Sequence, residues 1–204
     1  MAPGIIVNIL QQWSRLRTHV FTLLLGSQFR SFGRGSRITP PFRFSGLHRM
    51  SLGENVIIAP DCWIQTVGAN VENTVKLVIG AHCSIGMGAS ISAAKLVILG
   101  ERVLLARNVY ISDHIHGYAD VSQPVQNQPI DKIKPISIGK GAWLGQNVCV
   151  LPGASIGEHC IIGANSVVNS SIPDFCVAAG APARVIKRYN GATAQWETVR
   201  KSSN

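Results

Sequence analysis

Within six residues the chain sets an acid, two imidazoles and a phenol: Asp113, His114, His116 and Tyr118. An imidazole has an unperturbed pKa of about 6.5, so it can take a proton from a hydroxyl near neutral pH. Asp113 is placed either to orient the neighbouring ring or only to hydrate the segment, and the residues alone leave both readings open. His116 is the second candidate for the base. His82, His114 and His116 together also supply three nitrogens, enough for a zinc site with an open position.

These residues sit in a polar, proline-bearing stretch from Ser112 to Pro135, and a long irregular segment in a compact domain more often serves function than packing. What flanks it is regular. Aliphatic residues recur every six positions: Ile79, Ile85, Ile91; Leu99, Leu105, Ile111; and Ile138, Leu144, Val150, Ile156, Ile162, Val168. The next residue is usually small, as at Gly80, Gly86, Gly100, Ala106, Gly139, Gly145, Gly157 and Gly163. A second compact residue stands two positions before the next aliphatic one, as Val103 does before Leu105. Residues two apart share a strand face, so both point inward, and six residues make one flat side and one corner. Glycine at the corner suits either positive φ or close backbone approach. Three sides close a coil, and stacked coils bury an aliphatic column that no single coil could bury. A period of six keeps no helical face, and it is too short and regular for a sandwich or barrel. The fold expected is an all-β solenoid, a parallel β-helix, interrupted at Gly68 to Lys76 and at Ser112 to Pro135, with a weaker copy of the repeat over 38 to 64.

The ends are different. Ile5, Ile9, Trp13, Leu16, Val20 and Leu23 or Leu24 follow helical spacing and predict an amphipathic helix over 5 to 24, either capping the open end of the solenoid or packing against a subunit, or lying on a membrane surface. Residues 192 to 204 read as a short C-terminal helix. The division expected is a basic helix and arm over 1–50, a repeat domain over 51–187 and a tail over 188–204. Of the net charge of +9, seven arginines and no acid fall in residues 1–50. Such an arm suits an anionic surface or substrate. No helix-turn-helix, zinc-finger or RNA-binding signature accompanies it, so nucleic acid is not expected. The five cysteines form no CxxC pair and lie in apolar runs, which points to core residues of a reducing, cytoplasmic compartment.

The text from Ile136 to Lys187 resembles the C-terminal half of the hexapeptide-repeat O-acetyltransferases of sugars and bacterial polysaccharides. The matching runs are Pro-Ile-Ser-Ile-Gly (135–139), Ala-Trp-Leu-Gly (142–145), Val-Leu-Pro-Gly-Ala (150–154), Ile-Gly-Ala-Asn-Ser-Val-Val (162–168) and Ala-Gly-Ala-Pro-Ala-Arg-Val-Ile-Lys (179–187). The resemblance implies left-handed coils, a homotrimer with clefts between neighbours, acetyl-CoA as co-substrate, no metal, and a glycan or small-molecule acceptor in polysaccharide biosynthesis. It places the general base at His114, with Asp113 beside it and His116 as alternative. It puts His116, Tyr118 and Asn108 toward the acceptor. Trp143, Gln146, Ala164 and Asn165 would line the pantetheine arm, with Arg184 and Lys187 near the nucleotide phosphates. Asn169 and Ser170 stand where relatives often have Thr-Lys, which implies one phosphate contact fewer. Gly86 and Ala94 fall near places where galactoside-type members carry polar acceptor ligands, so a different acceptor is expected. Two rival readings share the fold. One is a γ-class carbonic anhydrase, whose pair of histidines five apart in one loop is missing here; the other is a non-catalytic assembly surface.

Overall fold

A chain that turns after every short strand and advances one coil per three turns builds three faces, and three parallel sheets are observed. The computed structural model describes residues 3–68 and 74–199. The first sheet stacks Ser31–Phe32, Met50–Leu52, Leu77–Ile79, Val97–Leu99, Ile136–Ile138 and Ser155–Ile156. The second runs from Arg37–Ile38 through Ile57–Ile58, Ser84–Ile85, Leu104–Leu105, Trp143–Leu144 and Ile161–Ile162 to Cys176–Ala179. The third holds Phe42–Ser45, Cys62–Thr66, Ser90–Ala93, Tyr110–Ser112, Cys149–Val150 and Val167–Val168. The periodic residues fall in register: Leu105 pairs with Ile85 on one side and Leu144 on the other, and all three are buried.

Corners explain the small residues. A Cβ added to Gly80 would lie 2.6 Å from the carbonyl carbon of Gly100 in the next coil, so this glycine serves close approach rather than positive φ. Positive φ comes two residues later, at His82 (61°) and Arg102 (56°) on the first corner. On the second corner it falls to Asn108 (57°), Asn147 (59°) and Asn165 (60°), and asparagine tolerates this region better than most residues. Their side chains form a ladder, Asn147 Nδ2 donating to Asn165 Oδ1 at 2.9 Å and Asn108 Nδ2 to Asn147 Oδ1 at 3.3 Å. The third corner, from the third sheet back to the first, has no such ladder and takes both interruptions, although 69–73 of the first lie outside the described residues.

Cysteine fits the inward corner slot because its thiol reaches a carbonyl of the neighbouring coil. Cys83 Sγ donates to Gly100 O at 3.0 Å and Cys62 Sγ to Gly86 O at 3.3 Å. Burial pushes the Cys62 thiol up to about 11. All five thiols are free; four are buried as expected of core residues, whereas Cys149 is only half-buried because it faces outward beside the buried Val150.

Both ends depart from the expected boundaries. The coil begins at Ser31–Phe32, inside the segment read as a basic arm, because Ser51 and Leu52 give those residues parallel partners. The helix, α1, spans Pro3–Gly26. It meets the body through its C-terminal half, where Arg17 Nη2 donates to Pro40 O at 3.2 Å, Thr22 Oγ1 accepts from Ile38 N at 3.0 Å, and Phe21 and Leu25 pack on the core. The short C-terminal helix is a correction: Gln195–Thr198 is a strand antiparallel to Arg184–Asn190, which in turn pairs with Cys176–Ala179. Val177 and Ala178 leave an open sheet edge at the end of the solenoid, and the hairpin satisfies it; 200–204 lie outside the described residues. No helix among the described residues is long and apolar enough to cross a membrane.

Truncation of a periodic residue should be costly. Leu105→Ala removes a 1% exposed side chain from the central column, and a loss of about 2–5 kcal/mol is expected in denaturant titrations at fixed protein concentration.

Candidate active site

The third corner of the fourth coil carries Asp113 and His114 directly after Tyr110–Ser112. Asp113 is fully buried, and its acceptor positions are all used. Oδ1 accepts from Ala94 N at 2.7 Å, while Oδ2 accepts from Lys95 N at 2.7 Å and Leu96 N at 2.8 Å. The fourth partner is His114 Nδ1, 2.8 Å from Oδ1. A carboxylate that already takes three amide N–H groups acts as acceptor toward the ring, so Nδ1 carries the hydrogen and Nε2 presents its lone pair. The amides come from the turn between Ser90–Ala93 and Val97–Leu99, one coil earlier.

The backbone is held as firmly as the ring. Ser112 Oγ donates to His114 O at 2.7 Å, and Lys134 N donates to Asp113 O at 2.8 Å where the loop returns. Between these points Ile115–His116 pairs antiparallel with Ile130–Asp131, so the loop is a hairpin that projects from the corner. His114 is buried to 9% exposure, whereas His116 is exposed on the hairpin. Tyr118 is exposed, but Lys132 Nζ donates to its hydroxyl at 2.7 Å and lies 5.0 Å from its ring centre.

Buried nearby, Lys76 Nζ donates to Val67 O at 2.7 Å. Lost hydration pulls its ammonium below the usual lysine range, Arg49 adds to the fall, and Asp113 opposes it. A polar row leads along the third sheet to the same corner, with Ser45, Gln65, Ser92 and Ser112 in register and Gln65 Nε2 donating to Ser92 Oγ at 3.0 Å. Neither Lys76 nor this row was visible as part of a site, because its members come from different coils.

The other expected residues are distributed over the surface. Gln146, Ala164 and Asn165 lie exposed along the second corner, with Asn165 N donating to Gln146 O at 2.9 Å. Asn108 heads the asparagine ladder of that corner, a whole strand away from His114, and the chain does not bring the two together. Trp143 points outward from the second sheet, stacked between Leu104 and Ile161, and shares no face with His114. Asn169 and Ser170 follow Val167–Val168 on the third corner, two coils beyond His114. Arg184 and Lys187 are exposed on the hairpin strand opposite Ala179 and Val177. His82 turns at the first corner while His114 and His116 belong to the third, and among the described residues no three metal-ligating side chains gather.

Two family models match the chain: "Bacterial transferase hexapeptide (six repeats)" over residues 135–170 and "Hexapeptide repeat of succinyl-transferase" over 76–113. The chain is similar to WbbJ of Escherichia coli, named for O-acetyl transfer in lipopolysaccharide biosynthesis, with 44% identity over 113 residues covering 52% of this chain and 58% of that protein. It is similar to the galactoside O-acetyltransferase of Lactococcus lactis, with 30% identity over 165 residues covering 78% of this chain and 73% of that one. Other curated relatives are spanned over only 40% to 64% of their length. The structure resembles AntD, an N-acyltransferase of Bacillus cereus solved with dTDP and 3-hydroxybutyryl-CoA, at a TM-score of 0.72 and 19% identity, covering 87% of this chain and 92% of that one. That likeness speaks for the fold, a left-handed parallel β-helix. By its two repeat matches and its overlap with the Lactococcus enzyme, the chain belongs to the hexapeptide-repeat O-acetyltransferase family.

Proposed function

We propose that the chain transfers the acetyl group of acetyl-CoA to a hydroxyl of a sugar or polysaccharide precursor, with His114 as general base. The observation that carries this reading is the buried Asp113–His114 pair, which fixes the ring through Nδ1 and leaves Nε2 without a hydrogen-bond partner among the described residues. Nε2 takes the acceptor's hydroxyl proton as its oxygen attacks the thioester carbonyl; the tetrahedral oxyanion then collapses and expels the CoA thiolate, which receives the proton. The products are the acetyl ester and CoA. No protein nucleophile is needed, because the thiolate is already a good leaving group. Asp113 is a positioning residue, since it acts through the ring.

Donor contacts are assigned to Trp143, Gln146, Ala164 and Asn165, with Asn169, Ser170, Arg184 and Lys187 toward the nucleotide end. The planar fork of Arg184 suits a phosphate. The acceptor is assigned to His116 on the hairpin and Tyr118 beside Lys132, with Ser92 and Gln65 of the polar row added to them. Because Trp143 and His114 occupy different faces of one chain, a cleft containing both takes one residue from each of two neighbours. A homotrimer in the cytoplasm supplies that arrangement. The outward residues Trp63, Tyr110, Leu104 and Trp143, each about half exposed in the single chain, give it an apolar surface to bury.

Light scattering at micromolar concentration should return three times the chain mass of 21.9 kDa; a monomer mass would remove the shared cleft. His114→Ala should lower acetyl transfer, assayed against nucleotide sugars and polysaccharide fragments, by roughly 10²–10⁴-fold with acetyl-CoA affinity little changed. His116→Ala should cost less and appear mainly in the acceptor KM, and the reverse order would make His116 the base. Asp113→Asn should lower kcat by a similar factor. It should also move the ¹⁵N signals of the His114 ring away from the Nδ1–H tautomer, a change that a purely structural aspartate would not produce.

A further inference from the structure

A surface helix ordinarily turns its apolar side to the protein and its polar side to water; of its apolar residues α1 packs only Phe21 and Leu25 inward and leaves its wider apolar side facing out. At 100° per residue, Thr18, Phe21, Thr22 and Leu25 share the side that meets the first coil, and Thr22 and Arg17 supply the hydrogen bonds there, to Ile38 and to Pro40 O. The far side carries Ile5, Ile9, Leu16, Val20 and Leu23, with Trp13 and Leu24 next to them, and all are exposed, Trp13 at 66% and Leu24 at 69%.

One flank of the helix is strongly charged. A cleft of about 1080 Å³ runs between α1 and the first coil, and among the described residues Arg15, His19, Arg30, Arg34 and Arg37 are the titratable ones that line it. Leu23 belongs both to this lining and to the outward apolar side, so the two surfaces are continuous. Among the described residues no aspartate or glutamate lines this cleft with the arginines.

We propose that α1 lies in the surface of a bilayer rich in anionic lipids, its outward side among the acyl chains and the arginine cleft on the lipid phosphates. The helix is 24 residues long, but Arg15 and Arg17 interrupt it at mid-length, which suits a helix lying in the interface and not one crossing it. A second copy of the chain is a poorer occupant, since symmetric pairing would bring the same arginines together and repulsion between like charges opposes it. Anionic headgroups instead attract each arginine near the surface. The docking is independent of acetyl transfer, because neither α1 nor the cleft holds a residue assigned to the chemistry.

The test is cosedimentation of the full chain with vesicles of phosphatidylcholine alone or mixed with phosphatidylglycerol. Binding should be at least tenfold tighter to the anionic vesicles, weaken at high salt, and survive millimolar inorganic phosphate, which would displace the chain if the cleft served a free phosphate. Trp13→Asp with Leu24→Asp should abolish vesicle binding, and Arg34→Gln with Arg37→Gln should remove the preference for anionic lipid. Both variants should keep the native oligomer mass and acetyl transfer. Equal or absent binding to the two vesicle types overturns the proposal, as does binding retained by the aspartate variant. A fall in oligomer mass in that variant would assign the apolar side to a neighbouring chain instead.

Discussion

Each strand of the three sheets finds its partners one coil away, so the backbone hydrogen bonds run along the axis and no coil is stable by itself. Leu104–Leu105 is only two residues long, yet it is held by Ser84–Ile85 on one side and Trp143–Leu144 on the other. That constraint governs the corners. Two of them must repeat faithfully, because a Cβ at Gly80 would meet the backbone of Gly100 and because the asparagines of the second corner bond to one another. Only the third corner is free to vary, and both interruptions of the repeat leave the solenoid there. A histidine on that corner adjoins a variable loop on one side and fixed coils on the other.

Asp113 resolves the conflict between the two. It is the first residue after a regular strand, so its side chain is delivered into the solenoid wall, where the turn at 94–96 donates three amides to it. A buried carboxylate is tolerated only when donors surround it, and here the donors also tie two coils together. The fourth acceptor position falls to His114. The orientation of the ring is thus a consequence of how coils are stapled, and the hairpin beyond it can change without disturbing the pair.

The repeat was legible because its inward slots hold aliphatic residues at fixed spacing, and so were the loop and the histidine within it. The first coil was not, since Ser36 and Phe42 fill slots that later coils give to small aliphatic residues, and arginines stand between them. The C-terminal hairpin was missed for another reason: Gln195–Thr198 is exposed throughout and Arg184–Asn190 half-buries only Val185 and Asn190, so no alternation marks them as strands. Asp113 could be named as a neighbour of His114, but its amide donors lie in another coil and no local pattern announces them. Asn108, placed toward the acceptor, stands on the second corner, where its left-handed backbone and its bond to Asn147 hold it, and no local pattern shows that position.

Coils stacked in register also turn the third corner into a ruler. Neighbouring parallel strands are separated by about 4.8 Å, so side chains along that edge recur only at whole multiples of this step. His114 and the pair Asn169 and Ser170 are two graduations apart, or about 10 Å. A relative cannot shift one of them toward the other by a fraction of a step without breaking the ladder. Changes in the length of a bound molecule must therefore be met by adding or deleting a coil, or by exchanging a short side chain for a longer one at a fixed height.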